Sequence, residues 1–192
     1  VSTHLPESAA GGKEDITLRH LLTHTAGFRA ADQIPQTLSR DEMLARINAT
    51  SIEVGWVPGE KAGYQLFSSW FVLGELVRRF TGKSFDRLAR EQIFALLGIE
   101  EAWIGMTPDE LETHRPRLAF LWNTFHGEPR PFENPDADML ACHPGSGGRG
   151  PASALVRMYA AFLAMLEDSG PQQAALVTAA TLRSFVARQR IG

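Results

Sequence analysis

The sequence contains a single cysteine, Cys142, among its 192 residues. One thiol excludes a disulfide within the chain, and it excludes the thiolate-rich metal cages that need several cysteines. Two roles remain for Cys142: a free, buried thiol, or a nucleophile, which needs a histidine positioned as its base. His143 is its neighbour in sequence, but adjacent side chains usually point apart. The pattern therefore favours the free thiol.

The sequence also lacks a strong net charge and long apolar runs. The net charge is −3, which gives no attraction to nucleic acid or to an anionic membrane surface. No apolar stretch approaches the roughly 20 residues that cross a bilayer. The start, VSTHLPESAAGGKED, has no charged segment followed by an apolar one, so it does not resemble a signal peptide. We expect a soluble protein, with the cytoplasm as the favoured compartment.

The two ends of the sequence give a further expectation. The chain opens without methionine, and it closes on ARQRIG, where a helical pattern runs into a glycine. Both features indicate a piece of a larger protein.

What the sequence does contain is ordinary for a globular protein, with 44% apolar and 21% charged residues. Apolar periodicity and capping signals predict helices over residues 16–24, from residue 39, and over residues 68–80, 84–97, 151–166 and 181–188. A capping box at Ser39 and Glu42 starts the second helix, and Gly82 and Gly98 end the third and the fourth. Two helices carry apolar stripes that are predicted to face the core: Trp70, Leu73, Val77 and Phe80 in residues 68–80, and Leu155, Tyr159, Phe162 and Leu166 in residues 151–166. Residues 102–105 and 117–122 are predicted as short strands, the second followed by a polar excursion over residues 123–138. The sequence therefore predicts a mainly α-helical chain with a few short strands.

Two histidines, His20 and His24, stand four residues apart in the stretch LRHLLTHTAGF. On a helix this spacing occurs in the zinc motif H-E-x-x-H, which also needs a glutamate beside the first histidine and a third ligand. Position 21 is leucine instead, and Leu18, Leu21 and Leu22 are predicted to face the core. We therefore expect no metal site in this stretch.

Two glycine-rich segments are predicted to be loops. GSGGRG, residues 145–150, precedes a helix and is either a phosphate cradle or a loop that another backbone approaches closely. No buried strand precedes it and no Gly-Lys-Ser/Thr ending follows, which favours the close approach. VGWVPGEKAGY, residues 54–64, places Tyr64 at the start of a helix. This tyrosine is either a buried anchor or a proton-transfer group.

Extended to residues 15–28, DITLRHLLTHTAGF, the histidine stretch resembles the phrase ITIRHLLTHTSGL of the serine β-lactamase-like family. This family includes class C β-lactamases, D-Ala-D-Ala carboxypeptidases and related esterases. The resemblance continues through WVPG, AGY, LGELVRRFTGKS and IFALLGI, and through the helix at residues 152–166. Nearly the whole chain is covered.

The resemblance implies the α/β fold of this family, an antiparallel sheet flanked by helices, with residues 1–192 as the central, mostly helical part of the domain. Family members work through an acyl-enzyme and carry a Ser-x-x-Lys, a Tyr-x-Asn and a late Lys-Thr-Gly or His-x-Gly motif. Tyr64 matches the middle motif, whose tyrosine transfers protons. No cofactor is implied, and the substrate is a small-molecule ester or amide.

The middle motif departs from the family pattern in ways that bear on the substrate. Leu66 stands where asparagine is commonest, and that asparagine hydrogen-bonds the amide of a β-lactam. The spacing from Tyr64 to Leu73-Gly74-Glu75 resembles the esterase branch, which often reads Gly-Tyr-His at this point. Gln65 replaces that histidine as a polar group but cannot take up a proton at neutral pH. Trp56, Gln65 and Phe67 are the predicted substrate-binding residues. Trp70 is a candidate either for the acyl pocket or for the core.

The first and third motifs are missing from the sequence. No Ser or Thr is followed three places on by Lys. In the family the nucleophile precedes the histidine phrase and the third motif follows the helix at residues 152–166, so both are expected outside this chain. We predict a serine hydrolase, specifically a carboxylesterase, with the chain alone inactive. A non-catalytic binding or scaffold module and a β-lactamase or DD-peptidase are the alternatives.

Overall fold

The computed structural model describes residues 1–33, 38–119, 122–124, 127–131, 135–167 and 177–189. The α-helices among them are α1 (Leu18–Leu22), α2 (Arg40–Ala49), α3 (Ser68–Thr81), α4 (Phe85–Ala89), α5 (Pro108–His114), α6 (Pro135–Leu140), α7 (Ala152–Leu166) and α8 (Ala179–Val186). The strands are β1 (Trp103–Ile104), β2 (Trp122–Asn123), β3 (Arg130–Pro131) and β4 (Gly148–Arg149). They form two antiparallel pairs, β1 with β4 and β2 with β3. The prediction of a mainly helical chain with short strands is confirmed.

Helix starts follow local capping chemistry. At α2 the Ser39 hydroxyl accepts from the backbone N–H of Glu42, whose carboxylate accepts from the Ser39 N–H at 3.0 Å. This capping box is the predicted one. A second box, Thr107 with Glu110, starts α5, which the sequence analysis does not identify. Such caps depend on residues three apart, so they form without help from the rest of the fold.

Helix α1 is shorter than predicted. It ends at Leu22 rather than at residue 24, because His24 adopts the left-handed conformation with φ of 56°. Leu21 is buried, but Leu18 and Leu22 are 49% and 51% exposed. The prediction that all three leucines face the core is therefore wrong. A helix of five residues has one turn and presents only one side to its neighbours.

The main apolar cluster, called here the N-terminal core, is built by the first half of the chain. Its buried members are Leu5, Ile16, Leu21, Ala26, Phe28, Ala31, Met43, Ile47, Phe67, Phe71, Val72 and Leu76. α1, α2 and α3 contribute half of these side chains, and the segments before and between them contribute the rest. Two of its members, Ala26 and Phe28, flank Gly27, which lies against Trp56 of the loop over residues 54–64.

The buried face of α3 differs from the predicted one. The sequence pattern assigns Trp70, Leu73, Val77 and Phe80 to the core, but Phe80 is 60% exposed. The buried residues are instead 68, 69, 71, 72 and 74–76. The helix is rotated because a charged residue, Glu75, belongs to the buried face, where arginines neutralise it. An apolar pattern cannot reveal a face that contains a buried carboxylate.

A second, smaller cluster surrounds β1. Trp103, Met106, Leu111 and Met139 are its buried members. The predicted strand at residues 102–105 is confirmed as the two-residue β1. The predicted strand at residues 117–122 is wrong at its start, where Arg115–Arg117 is a 3-10 turn, and residues 120 and 121 lie outside the described residues. The excursion after it contains β3 and α6.

The helix predicted from residue 84 contains an irregular turn. α4 begins after Ser84 and passes into a π-helical turn, Arg90–Phe94, before the chain leaves the helix at Gly98 with φ of 60°. The predicted stop at this glycine agrees with that conformation, which favours glycine.

Helices α7 and α8, called here the C-terminal helix pair, lie against each other. None of the residues of α7, all of them described, is buried. Leu155 and Tyr159, which the sequence pattern assigns to a packed stripe, are 54% and 57% exposed, so that assignment is wrong. In α8 only Leu182 is buried. No helix within the described ranges is long and apolar enough to cross a membrane.

Candidate active site

Tyr64 ends the glycine-rich loop over residues 54–64 and lies four residues before α3 begins. Its side chain is 70% exposed, which is unusual for an aromatic ring at the base of a well-packed helix. The phenol is therefore accessible from solvent. Burial does not account for this tyrosine, which removes the buried-anchor role.

One residue of the histidine stretch holds the backbone on both sides of Tyr64. The carbonyl oxygen of His24 accepts from the Gly63 N–H at 2.9 Å. The Nδ1 atom of the same residue accepts from the Gln65 N–H at 3.2 Å. The His24 ring also contacts the Tyr64 ring, with centroids 4.8 Å apart and planes inclined by 42°. The histidine stretch and the tyrosine loop thus form one local unit.

Asp32 holds the next three residues. Its carboxylate accepts from the backbone N–H groups of Leu66 at 2.6 Å, Phe67 at 3.3 Å and Ser68 at 2.8 Å. These are free N–H groups at the start of α3, where the helix dipole also favours a negative charge. A carboxylate 36 residues away in sequence therefore serves as the cap of the helix that follows Tyr64.

Trp56 packs the base of the same loop. Its indole N–H donates to the Thr25 carbonyl at 3.1 Å, and the Arg29 guanidinium lies 5.2 Å from its ring centroid. Arg29 is held in turn by Glu53, at 2.8 Å and 2.5 Å. Hydrogen bonds from Arg29 keep the pKa of Glu53 below its usual value. Trp56 is half-buried and keeps part of its ring accessible.

The other two predicted substrate-binding side chains point inward. Gln65 is fully buried, and its amide donates to Ser68 Oγ at 3.3 Å and accepts from Ser69 Oγ at 2.7 Å. Phe67 is 6% exposed and belongs to the N-terminal core. Their burial does not support direct contact with a substrate. The side chain between them, Leu66, is 41% exposed.

The second glycine-rich segment reaches the same region. A Cβ added at Gly145 would lie 2.4 Å from Trp70 and 2.8 Å from the Leu66 carbonyl oxygen, so only glycine fits there. This is the close backbone approach that the sequence favours over a phosphate cradle. Trp70 is half-buried between this segment and His24, whose ring centroid is 6.4 Å away.

The two histidines that suggest a metal have other partners in the chain. His20 closes the capping box of α1 through its Nδ1 atom, and His24 holds the Tyr64 loop. Within the described ranges no group of three or more His, Cys, Asp and Glu residues is arranged to hold a metal ion.

A separate cavity of about 460 Å³ lies between α4, the π-helical turn and β1. Arg90 and Glu110 on its wall pair with each other at 3.4 Å. Cys142 also lines it, and burial, followed by the charge of Asp86, raises the pKa of this thiol to about 11. A thiol with so high a pKa is not an activated nucleophile. The cavity therefore offers no activated thiol, and the exposed phenol of Tyr64 remains the candidate reactive group.

Sequence patterns do not reveal the two residues that hold this loop. His24 supports the loop, and Asp32 caps the helix that follows it. Their partners lie 41 and 36 residues away, and no spacing rule links them. One weak signal exists, since a helix that starts at Ser68 without a capping side chain of its own needs an acceptor from elsewhere.

Solved structures share this fold. A penicillin-binding protein homolog from Caulobacter crescentus superimposes on all of the chain with a TM-score of 0.76 at 24% identity, and 54% of that protein is covered. A family VIII carboxylesterase matches 98% of the chain with a TM-score of 0.76 at 23% identity, and 53% of that protein is covered. The fold is therefore that of β-lactamases and penicillin-binding proteins, and the chain spans about half of these solved structures.

Sequence relatives agree. Penicillin-binding protein 4 of Amycolatopsis lactamdurans is 31% identical over 136 residues, which are 70% of this chain and 34% of that protein. A family model described as Beta-lactamase matches residues 1–192. The chain therefore belongs to the Beta-lactamase family.

Proposed function

We propose that residues 1–192 are the central, mostly helical part of a serine hydrolase that cleaves small or medium acyl esters through a covalent acyl-enzyme. The observation that carries this proposal is the exposed phenol of Tyr64, held on a hydrogen-bonded loop in a chain of the Beta-lactamase family. An accessible, positioned phenol is suited to proton transfer. The nucleophilic serine and its lysine would come from residues outside this chain, which contains no Ser-x-x-Lys.

In this mechanism the serine oxygen attacks the ester carbonyl and loses its proton toward Tyr64 and the lysine. The phenol then delivers a proton to the leaving alkoxide, which leaves an acyl-enzyme. Water attacks the acyl-enzyme along the same proton route and releases the acid. The chain alone has no nucleophile for the phenol to serve, so we expect residues 1–192 by themselves to show no turnover above a denatured control.

An ester fits the surroundings of Tyr64 better than a β-lactam does. Leu66 offers a 41% exposed apolar side chain at the position where β-lactam-hydrolysing relatives place an amide. The half-buried Trp56 adds further apolar surface on the same loop. Gln65 and Phe67 would support the loop from the protein interior and would not contact the substrate. The solved carboxylesterase of the same fold is consistent with this reading.

The test is Tyr64→Phe in the intact protein, assayed with p-nitrophenyl acetate and butyrate and with a chromogenic cephalosporin. This change removes only the hydroxyl, so kcat for the esters should fall by roughly 10²- to 10⁴-fold while KM changes little. Tyr159→Phe, at the other tyrosine of residues 1–192, is the matched control and should keep full activity.

Three outcomes would contradict the proposal. A Tyr64→Phe variant with kcat within a few-fold of the parent removes the proton-transfer role. Faster turnover of the cephalosporin than of both esters favours a β-lactamase. A folded intact protein that turns over no substrate and forms no acyl-enzyme favours a binding or scaffold module.

A further inference from the structure

His24 has a backbone conformation that needs an explanation. Among the described residues it is the one non-glycine residue with positive φ, at 56°. A left-handed conformation is strained for an L-residue, and such residues concentrate at functional sites where the surroundings enforce them. Histidine, asparagine and aspartate tolerate this conformation better than most side chains. The left-handed conformation of His24 therefore indicates contacts that a helical residue at this position could not make.

The left-handed turn directs two acceptors of one residue toward the same loop. The His24 carbonyl binds the N–H before Tyr64 and Nδ1 binds the N–H after it, at 2.9 Å and 3.2 Å. A helical continuation would point the carbonyl along the helix axis instead. Because both bonds flank Tyr64, they fix the position and the direction of its Cα–Cβ bond.

The His24 ring limits the remaining freedom of the phenol. Tyr64 is 70% exposed, so few other groups hold its ring. The imidazole lies 4.8 Å from the Tyr64 ring centroid, and it is itself seated edge-on against Trp70 at 6.4 Å. A tilted aromatic contact of this kind favours one ring orientation. An otherwise mobile phenol thus rests against a ring that the fold holds in place.

We infer that His24 is a positioning residue for Tyr64: its strained backbone, its Nδ1 atom and its ring together hold the phenol where a reacting oxygen can reach it. This inference rests on the proposed function of Tyr64. Proton transfer depends steeply on geometry, and a displacement of about 1 Å costs roughly 100-fold in rate. Loss of the support should therefore lower kcat and leave KM nearly unchanged.

The informative variant is His24→Asn, because asparagine adopts the left-handed conformation and keeps an acceptor for the Gln65 N–H but has no ring. His24→Gly is the second variant, which adopts the same conformation without strain and lacks both acceptor side chain and ring. In the intact protein we expect kcat for p-nitrophenyl butyrate to fall by roughly 10- to 100-fold in both variants, with the larger loss in His24→Gly.

A double-mutant cycle with Tyr64→Phe separates this inference from the proposed function. If His24 acts through the phenol, His24→Asn should change kcat by less than about threefold in the Tyr64→Phe background, because the group it positions is already absent. An equal loss in both backgrounds, or no loss with Tyr64 present, would overturn the positioning role. A Tyr64→Phe variant with unchanged kcat would instead refute the proposed function.

A second measurement needs no activity. In an NMR spectrum of the tyrosine-labelled intact protein, the ring signals that disappear in Tyr64→Phe belong to Tyr64. His24→Asn should shift these signals toward free tyrosine and merge any separate signals from the two sides of the ring. Unchanged signals would contradict the ring contact on which the inference depends.

Discussion

The N-terminal core and the C-terminal helix pair contain similar apolar side chains, which are buried in the core and exposed in the helix pair. In the N-terminal core, Leu21 and Phe28 are each 1% exposed. In the C-terminal helix pair, Leu163 and Phe185 are 58% and 63% exposed. The residue types match, so the difference comes from what stands opposite each side chain. An apolar stripe is buried only where a second element supplies a facing surface.

The packing of the N-terminal core also restricts the position of the candidate site. The Tyr64 loop rests on the N-terminal core through Phe67 and is bonded to His24 and Asp32. Side chains in a close-packed core have few alternative positions. Precise placement of a reactive group is therefore expected beside the N-terminal core and not on α7. The following predictions test this difference between the two regions.

The largest effect should come from removing the same side chain in each region. Leu21→Ala deletes a buried leucine and should lower the free energy of unfolding by about 2–5 kcal/mol, since it removes apolar contacts and leaves a cavity. In residues 1–192, Leu163→Ala, at a position that is 58% exposed, should change the free energy of unfolding by less than about 0.5 kcal/mol. Urea unfolding of both variants measures the contrast. Equal losses would show that α7 is as well packed as the N-terminal core.

A side chain added next to the candidate site should be nearly as damaging. A Cβ at Gly27 would lie 2.1 Å from Trp56 Cδ1, and the φ of this glycine is 83°. Gly27→Ala should therefore destabilise the protein by about 2–4 kcal/mol, from overpacking and from backbone strain. Gly82→Ala is the matched control, because Gly82 has a φ of 68° but no atom within 4 Å. It should cost only about 1 kcal/mol, for the strain alone. A similar loss in both variants would mean that Trp56 moves aside freely.

The buried carboxylate of α3 should make stability depend on acid. Hydrogen bonds from Arg78 and Arg79, with the charge of Arg40, lower the pKa of Glu75 from 4.5 to about 2, against the opposing effect of burial. A lowered folded-state pKa means that the ionised form stabilises the protein above about pH 4.5. This contribution is lost as the pH falls toward 2.

Glu75→Gln should therefore lower the free energy of unfolding at pH 7 by about 2–3 kcal/mol and flatten its pH dependence between pH 4.5 and 2. The three arginines are partly exposed and remain hydrated, which keeps the loss below that of a fully buried ion pair. Glu101→Gln, which breaks an exposed pair with Arg117, should lower the free energy of unfolding much less than Glu75→Gln does. Chemical unfolding at several pH values decides between them. Parallel pH curves for the parent and Glu75→Gln would count against this account.

Local chemistry explains which parts of the fold the sequence predicts. The capping box at Ser39 and Glu42 and the stop at Gly82 depend on neighbours within four residues, so they are readable before folding. The buried face of α3 is not readable, because it contains Glu75, whose burial depends on Arg40 from α2. The burial of α7 cannot be predicted from its sequence either, because an apolar stripe does not determine whether another element packs against it.

The candidate site shows the same division. A glycine-rich loop ending in Tyr64 is visible in the sequence, and so is the resemblance of the histidine stretch to a known family. The left-handed conformation of His24 and the cap formed by Asp32 are not visible, because each links segments at least 34 residues apart. Gln65 and Phe67, which the sequence predicts to bind the substrate, are both buried, because exposed and buried side chains alternate over residues 64–67.

The smallest expected effect concerns Cys142, which lies outside both regions, beside the second cluster. Burial raises its pKa from 9.0 to about 11, so roughly 100-fold less of it is thiolate at neutral pH than in an ordinary cysteine. A thiolate of higher pKa is intrinsically more nucleophilic, which recovers about tenfold of that loss.

Alkylation by iodoacetamide at pH 7.5 should therefore be roughly ten times slower than that of glutathione, and the rate should still be rising at pH 10. Mass spectrometry of the intact chain follows the reaction directly, because the sequence has no other thiol. Denaturing the protein in urea should restore an ordinary rate, which serves as the control. A folded chain that reacts faster than glutathione would mean that the thiol is activated, and the cavity beside β1 would then have to be reconsidered as a second reactive site.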